Sequence, residues 1–265
     1  MLNSSFTRTA LAAALALAGA TSAHALATAS ASLGNFQIQL FDLNPFDGIA
    51  AAVTFTDAVN FQSQVYAQAS DGGFASDGTH YGAIGSVLAA NVSNGAASSW
   101  GTTSAGNPYT PGAGPGAAAA ASTMGVGTSA YGIGWALASS FTLTANTLLV
   151  FTASTSGVAA SISLAGEIAD GNATIFINSS NNSQNSYGQS YTHAEVGNTY
   201  SNSVPLVQAS FVNLTNTSVT GFAGAYAQAN VQGVPTTPVP EPETYVLMLA
   251  GLLAVGSVAR RRNQR

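Results

Sequence analysis

Alternation of apolar and polar residues dominates this chain and is the feature that most limits its fold. Side chains of a β-strand point to opposite faces in turn, so such alternation indicates a strand with one buried face. Convincing amphipathic helical patterns are missing from the sequence. The alternation therefore predicts an all-β fold with strands within residues 36–41, 59–69, 82–92, 131–143, 147–154, 158–168, 173–177, 206–214 and 219–231.

Turn-forming dipeptides separate these runs. Asp170-Gly171 lies between two alternating segments and predicts a type I′ hairpin. Asp47-Gly48, Asp71-Gly72-Gly73 and Asp77-Gly78 predict further turns. Many short strands with turns of this kind are typical of an antiparallel β-sandwich, and a jelly-roll-like order is one arrangement that the pattern allows.

Two polar segments interrupt the alternation. Residues 93–128 are rich in Gly, Ala, Pro and Ser, which predicts a long flexible loop between two sets of strands. Within it, Trp100 and Tyr109 are candidates for stacking on a ligand. Residues 178–203 form a second polar excursion. The strands and both excursions form one predicted domain, residues 26–233, which we call the passenger domain.

The N-terminus has the three parts of a secretory signal peptide. Arg8 provides a positive charge, residues 10–20 are apolar, and Ala23-His24-Ala25 is a cleavage site with small side chains at Ala23 and Ala25. The apolar segment is too short to span a bilayer. We therefore predict that residues 1–25 are a signal peptide, removed after Ala25.

The C-terminus also has three ordered parts. A Pro-rich linker at residues 234–243 is followed by a predicted hydrophobic helix at residues 244–265. As a helix, its apolar run 245–259 would be about 22 Å long, against a hydrocarbon core of about 30 Å. The arginines would hold the end of the chain on the cytoplasmic side. The ordered parts are Pro240-Glu241-Pro242, the apolar run and the cluster Arg260, Arg261, Arg262.

This three-part C-terminus resembles the PEP-CTERM sorting signal of bacterial exported proteins. The resemblance implies transient membrane insertion of the helix and processing near Pro240-Glu241-Pro242 by an exosortase-type membrane enzyme. It also implies a final location at the cell surface or outside the cell, often in extracellular matrix, flocs or biofilm. Passenger domains of this family are diverse, so the resemblance implies a route and no particular activity. A tail-anchored membrane protein is the alternative.

Charge narrows the classes of partner. All five positive side chains are arginines, at position 8 and within residues 260–265, so residues 26–240 contain no Lys or Arg. Of the ten acidic residues, Glu241 and Glu243 lie beyond this stretch, which leaves eight and a formal charge of about −8. Nucleic-acid binding is excluded, because phosphate contacts need Lys and Arg. The absence of Cys excludes disulfides and thiolate metal sites.

A short repeat gives the candidate binding face. Tyr66-Ala-Gln-Ala recurs as Tyr226-Ala-Gln-Ala, each time within an alternating strand. Tyr and Gln then share one face of the strand, and the alanines share the other. We predict a candidate glycan-binding face with chance repetition as the alternative, and its residues are Tyr66, Gln68, Tyr226 and Gln228.

Catalytic and metal-binding signals are sparse. Asp71 and Asp77 lie in a Gly-rich stretch and form a candidate Ca²⁺ site, with a pair of Asp-Gly turns as the alternative. His193 and Glu195 share one face of a strand, as a base and its orienting carboxylate would, but no nucleophile or third metal ligand accompanies them. No phosphate-binding or dinucleotide motif is found, so we predict no cofactor.

These features favour an exported, non-catalytic component of the cell surface or extracellular matrix, associated with exopolysaccharide. A secreted carbohydrate-binding module and an extracellular hydrolase with an unlocated site are the alternatives. Alternating strands without Lys protection can pair edge to edge, so self-association is a further prediction.

Intact mass spectrometry of the protein recovered outside the producing cell tests the two predicted ends. We expect a chain that starts at Leu26 and ends near Pro240-Glu241-Pro242. A membrane-bound chain that still ends at Arg265 would instead identify a tail-anchored protein.

Overall fold

A computed structural model of the chain describes residues 26–56, 63–179 and 185–234. They belong to one compact unit that ends at Val234. These residues form β-strands and no helix: β1 Ala27–Asp42, β2 Val53–Phe55, β3 Ser63–Ser70, β4 Phe74–Gly82, β5 Leu88–Asn94, β6 Ala97–Ser104, β7 Gly116–Thr123, β8 Ser129–Leu143, β9 Thr147–Ser161, β10 Ile168–Ser179, β11 Asn185–Glu195, β12 Tyr200–Asn202, β13 Leu206–Asn213 and β14 Val219–Gln232.

The strands form two antiparallel sheets that face each other. The six-stranded sheet has the order β13-β9-β1-β7-β6-β5, and the eight-stranded sheet has the order β12-β11-β10-β14-β8-β3-β4, with β2 paired to β8. Contacts between the sheets include β7 with β8 and β1 with β14. The predicted all-β, antiparallel fold is therefore confirmed, in a sandwich-like arrangement.

The space between the sheets has two kinds of packing. At one end it is filled by large apolar side chains, and the Phe36 and Phe151 rings meet edge to face with centroids 5.1 Å apart. Each such side chain stabilises the fold by about 1.5–3 kcal/mol. At the other end the buried cluster is almost entirely alanine: Ala27, Ala29, Ala69, Ala97, Ala119, Ala121, Ala130, Ala169, Ala194, Ala229 and Val231.

Glycine lets the two backbones touch near the alanine cluster. A Cβ atom on Gly101 of β6 would lie 2.1 Å from the Ile133 carbonyl oxygen of β8. A Cβ on Gly134 of β8 would lie 2.4 Å from the Thr102 carbonyl oxygen of β6. Real Cβ atoms do not approach backbone so closely, so these positions require glycine. No large side chains fill this part of the space between the sheets, so dispersion between close backbone atoms stabilises the contact.

The prediction of a flexible loop over residues 93–128 is wrong. This segment contains the end of β5 and all of β6 and β7. Ala117, Ala119 and Ala121 are buried between the sheets, in register with β1 on one side and β6 on the other. Its low complexity reflects a need for small side chains where the sheets are close, and a loop of similar composition looks the same in sequence.

The predicted hairpin at Asp170-Gly171 is also wrong, because both residues lie inside β10 and pair with β11 and β14. A Cβ on Gly171 would lie 2.4 Å from the Ser30 carbonyl oxygen of the facing sheet, so this glycine serves packing. Asp77-Gly78 likewise lies within β4, at a register irregularity opposite β3. Asp47-Gly48 and Asp71-Gly72 are turns as predicted, with positive φ at both glycines.

Several predicted strand limits shift as well. The polar excursion predicted at residues 178–203 contains β11 and β12. The run 82–92 is divided by a turn between β4 and β5, and the run 158–168 by a turn between β9 and β10. Alternation alone does not separate these cases, because short turns inside an alternating run keep its apparent period.

The predicted signal peptide, sorting motif and C-terminal hydrophobic helix lie outside the described residues. In the parts of the chain that the structure describes, no helix has the length and apolar character needed to cross a membrane.

Replacing Gly134 by Ala tests the close approach of the sheets. We expect Gly134→Ala to lower the free energy of unfolding by at least about 1–3 kcal/mol, because its Cβ would push β8 away from β6. Urea denaturation of the exported protein measures this. Gly78→Ala is the matched control, since its Cβ would meet no atom within 4 Å, and it should change stability by less than about 0.5 kcal/mol. Equal stability of both variants would contradict the packing described here.

Candidate functional site

The outer face of the eight-stranded sheet carries most of the large polar and aromatic side chains. On β3, β8 and β14, small residues point inward, so the alternation leaves the large ones outside. We call this surface the aromatic face. Its members are Tyr66, Gln68, Tyr131, Trp135, Asn172, Phe176, Tyr226, Gln228 and Asn230.

The two copies of the Tyr-Ala-Gln-Ala repeat flank β8 on this face. Tyr66 of β3 and Gln228 of β14 both lie opposite Ile133. Gln68 of β3 lies opposite Tyr131 of β8, which faces Asn230 of β14 on its other side. The four residues predicted from the repeat, Tyr66, Gln68, Tyr226 and Gln228, are thus placed on one surface by the topology. Whether that surface binds a glycan remains a prediction.

Aromatic rings form two groups on this face. The Trp135 ring lies 4.5 Å from that of Tyr226 and 6.3 Å from that of Phe176, and Tyr66 lies 6.2 Å from Tyr131, all between ring centroids. Burial, with the neighbouring phenols of Tyr226 and Tyr66, raises the pKa of Tyr131 to about 12. Its hydroxyl therefore stays protonated and neutral at ordinary pH.

Hydrogen bonds hold the polar groups beside these rings. Tyr66 Oη donates to Gln68 Oε1 at 3.1 Å. Asn172 Nδ2 lies 3.4 Å from Tyr226 Oη, and Asn172 Oδ1 accepts from Thr174 Oγ1 and Gln189 Nε2 at 2.7 and 3.0 Å. These contacts restrict side-chain rotation before any ligand binds, which lowers the entropic cost of binding.

Tyr131, Trp135 and Phe176 also belong to the aromatic face, although the sequence did not predict them as site residues. A usable signal was present in β8, where Tyr131-Gly-Ile-Gly-Trp135 places large side chains on one face and glycines on the other. The neighbours of these side chains were not visible, since β3, β8 and β14 are far apart in sequence.

A carboxylate–imidazole cluster lies at one end of the same face. His193 Nδ1 lies 2.7 Å from Asp170 Oδ1, which also accepts the Tyr191 hydroxyl at 2.7 Å. His193 Nε2 lies 3.5 Å from Glu195 Oε2. The predicted pairing of His193 with Glu195 on one side of a strand is present, and Asp170 joins it from β10.

The contacts of this cluster fix the position of the His193 imidazole. The hydrogen bond to Asp170 raises the pKa of His193, with Glu195 adding to it. Burial and the same Asp170 raise the pKa of Tyr191 to about 12. Carboxylates engage both ring nitrogens of His193, so the arrangement resembles a brace between β10 and β11 more than a base beside a nucleophile.

Asp71 and Asp77, the candidate Ca²⁺ residues, accept hydrogen bonds from different backbone amides. Asp71 Oδ2 accepts the Ala96 amide at 2.8 Å, and Asp77 Oδ2 accepts the Asn91 amide at 2.8 Å. Asp77 Oδ1 also contacts His80 Nε2 at 2.9 Å. Within the described residues, no group of three or more His, Cys, Asp or Glu side chains is placed to hold a metal ion.

The other predicted aromatic residues lie away from the aromatic face. Trp100 is on the outer face of the six-stranded sheet, beside a groove of about 310 Å³ lined by Ser, Thr and Ala side chains. Tyr109 lies in the connection between β6 and β7, with its amide bonded to Asn107 Oδ1.

The His193–Asp170 contact predicts a pH dependence of stability. A His pKa that is raised by folding stabilises the fold fully below about pH 6.5, its unfolded value, and this stabilisation is lost as pH rises through the folded pKa. We expect Tm to fall across that range, and His193→Gln and Asp170→Asn each to remove this decline. Thermal unfolding between pH 5 and about 9 measures it; equal declines in all three proteins would contradict the assignment.

Comparison with known proteins concerns the C-terminus. Residues 238–263 match the family model of the PEP-CTERM protein-sorting motif, while no curated protein and no solved structure matches the chain. The matched range includes Pro240-Glu241-Pro242 and the arginine cluster, so the resemblance seen in the sequence is confirmed. Such a motif implies export, processing by an exosortase, and a cell-surface or extracellular location afterwards. The chain therefore carries a PEP-CTERM protein-sorting motif at residues 238–263.

Proposed function

We propose that the mature protein is a non-catalytic component of the cell surface or extracellular matrix, associated with exopolysaccharide through the aromatic face. The observation that carries this proposal is two pairs of half-buried rings, Tyr66 with Tyr131 and Trp135 with Tyr226. They are flanked by amides and lie on three adjacent strands. The sorting motif implies a cell-surface or extracellular location, where we expect polysaccharide to surround the protein.

The chemistry of this face suits sugars. Aromatic rings offer broad apolar surfaces to the C–H faces of pyranose rings. Gln and Asn amides offer a donor and an acceptor on one group, as sugar hydroxyls require. Because strands are about 4.8 Å apart, side chains repeated on β3, β8 and β14 suit a repeating polymer better than a small molecule.

Charge indicates which polysaccharide binds. Residues 26–240 contain no Lys or Arg, so sulfate or phosphate groups would find no cationic side chain to bind. Asp170 and Glu195 add negative charge at one end of the aromatic face. The expected ligand is therefore a neutral polysaccharide.

The absence of catalysis is part of the proposal. The His193 imidazole is the strongest candidate for a base, but Asp170 and Glu195 hold its two nitrogens. A hydrolase would use the same cluster as its acid–base pair. Loss of a polysaccharide-cleaving activity in His193→Ala would support that alternative.

Self-association is a second part of the proposal. The six-stranded sheet ends at β5 and β13, and the eight-stranded sheet ends at β4 and β12. None of these four strands carries Lys, Arg or Pro, the residues that commonly protect sheet edges. Light scattering at increasing concentration tests this, and a constant monomer mass would contradict it.

Substituting the repeated tyrosines tests the aromatic face. We expect Tyr66→Ala and Tyr226→Ala each to weaken binding to purified neutral exopolysaccharide of the producing cell by about two- to tenfold, because one stacking contact is worth about 0.5–1.5 kcal/mol. Affinity electrophoresis or calorimetry on the exported protein measures the change.

Tyr109→Ala is the matched control, since Tyr109 is exposed but lies off the aromatic face. It should bind as the wild type does. Equal affinities for the wild type, Tyr66→Ala and Tyr226→Ala, with folding verified by circular dichroism, would remove the proposed site. Tighter binding to dextran sulfate than to the neutral polymer would contradict the charge argument.

A further inference from the structure

One buried carboxyl group of this protein is only half satisfied. Glu167 is fully buried in the turn between β9 and β10. Its Oε2 accepts the Ser163 and Leu164 amides at 2.6 and 2.8 Å. Its Oε1 is buried and has no hydrogen-bond partner. A buried carboxylate of this kind is costly unless a positive group pairs with it.

No side chain of the passenger domain is available for that pairing. Residues 26–240 contain no Lys or Arg. The two histidines of this stretch are engaged elsewhere, His80 with Asp77 and His193 with Asp170. The positive group must come from another source.

The first residue of the predicted mature chain, Leu26, contacts the turn that contains Glu167. Ser163, whose amide binds the Glu167 carboxyl, donates its hydroxyl to the Leu26 carbonyl oxygen at 2.9 Å. The pairing of Thr28 with Ser161 places Leu26 opposite Ser163. In an extended strand the N–H and C=O of one residue point to the same side. The nitrogen of Leu26 therefore faces the turn that contains Glu167.

A second unsatisfied group lies at the same end of β1. Thr123 of β7 pairs with Ala27, the residue after Leu26, and its buried Oγ1 has no hydrogen-bond partner. Among the described residues, these two oxygens are the buried side-chain atoms without a partner. The Thr123 hydroxyl can both donate and accept, and β7 lies on the opposite side of β1 from β9. Glu167 Oε1 is therefore the unsatisfied oxygen on the side that the Leu26 nitrogen faces.

We propose that removal of the signal peptide after Ala25 creates an α-ammonium group at Leu26 that forms an ion pair with Glu167. An ammonium group has three N–H donors, and Glu167 Oε1 is a buried acceptor without a donor. This inference rests on the export route and the Ala25 cleavage site described above, and it is independent of polysaccharide binding.

The ion pair would couple processing to folding. Before cleavage the nitrogen of Leu26 belongs to an uncharged peptide bond, so Glu167 lacks its counter-ion. After cleavage the same nitrogen is charged and lies next to β1, whose residues contribute to both buried apolar clusters. The fold thus gains stability only after the signal peptide has been removed, on the far side of the membrane.

The absence of lysine makes the ion pair directly measurable. The chain contains no Lys, so after cleavage the α-amine is its one primary amine. We would first confirm Leu26 as the N-terminus by intact mass, then follow acetylation of the native exported protein by mass spectrometry. An amine reacts in its neutral form, so we expect the wild type to react at least about tenfold more slowly when folded than in urea.

Glu167→Gln is the informative variant, and Glu195→Gln, which alters a partly exposed carboxylate, is the matched control. Glu167→Gln should be acetylated at least about tenfold faster than wild type, while Glu195→Gln should match wild type. Acetylation should lower Tm by at least about 5 °C in wild type and Glu195→Gln. In Glu167→Gln it should leave Tm unchanged.

Equal native and urea acetylation rates in wild type would overturn the ion pair, even if Glu167→Gln fails to fold. A free mature N-terminus at a residue other than Leu26 would overturn it too. Neither result would alter polysaccharide binding, whose loss in Tyr66→Ala is measured separately.

Discussion

Close contact between two sheets at an alanine- and glycine-lined interface is the constraint on which the rest of this structure depends. At Gly101, Gly132 and Gly134, backbone meets backbone with no room for a Cβ atom. Such an interface gains little from burying large side chains and depends on dispersion between many close atoms. The Phe- and Leu-rich cluster at the other end supplies most of the apolar burial.

The same constraint explains the aromatic face. A strand that must present Ala or Gly inward has only its outer positions for large residues. On β8 the inner residues Ala130, Gly132 and Gly134 alternate with the outer residues Tyr131 and Trp135. The face proposed to bind polysaccharide is therefore the outer side of a region where the two sheets are in close backbone contact. Rigid packing beneath it fixes the positions of the rings, which lowers the entropic cost of the polysaccharide binding that we propose.

Because residues 26–240 contain no Lys or Arg, their few ionisable groups have a large structural role. Asp71 and Asp77 bind backbone amides, and Asp170 gathers Tyr191 and His193. Each carboxylate is satisfied by amide, hydroxyl or imidazole donors, where most proteins would use guanidinium or ammonium groups. Glu167 stands apart because its unpartnered oxygen is buried, and the proposed cation for it is the N-terminus that export would create.

The sequence by itself determined the all-β class, the C-terminal sorting motif and the absence of cationic side chains from residues 26–240. These properties are local or compositional, since alternation of period two and an ordered sorting motif need no tertiary contacts to be read. Only the tertiary structure decided that residues 93–128 are strands, that Gly171 serves packing, and that Tyr66 and Tyr226 flank β8. Glycine and alanine suit turns, loops and close sheets equally well in sequence. Which of these structures forms depends on the pairing of strands that are distant along the chain. It also depends on the distance between the two sheets.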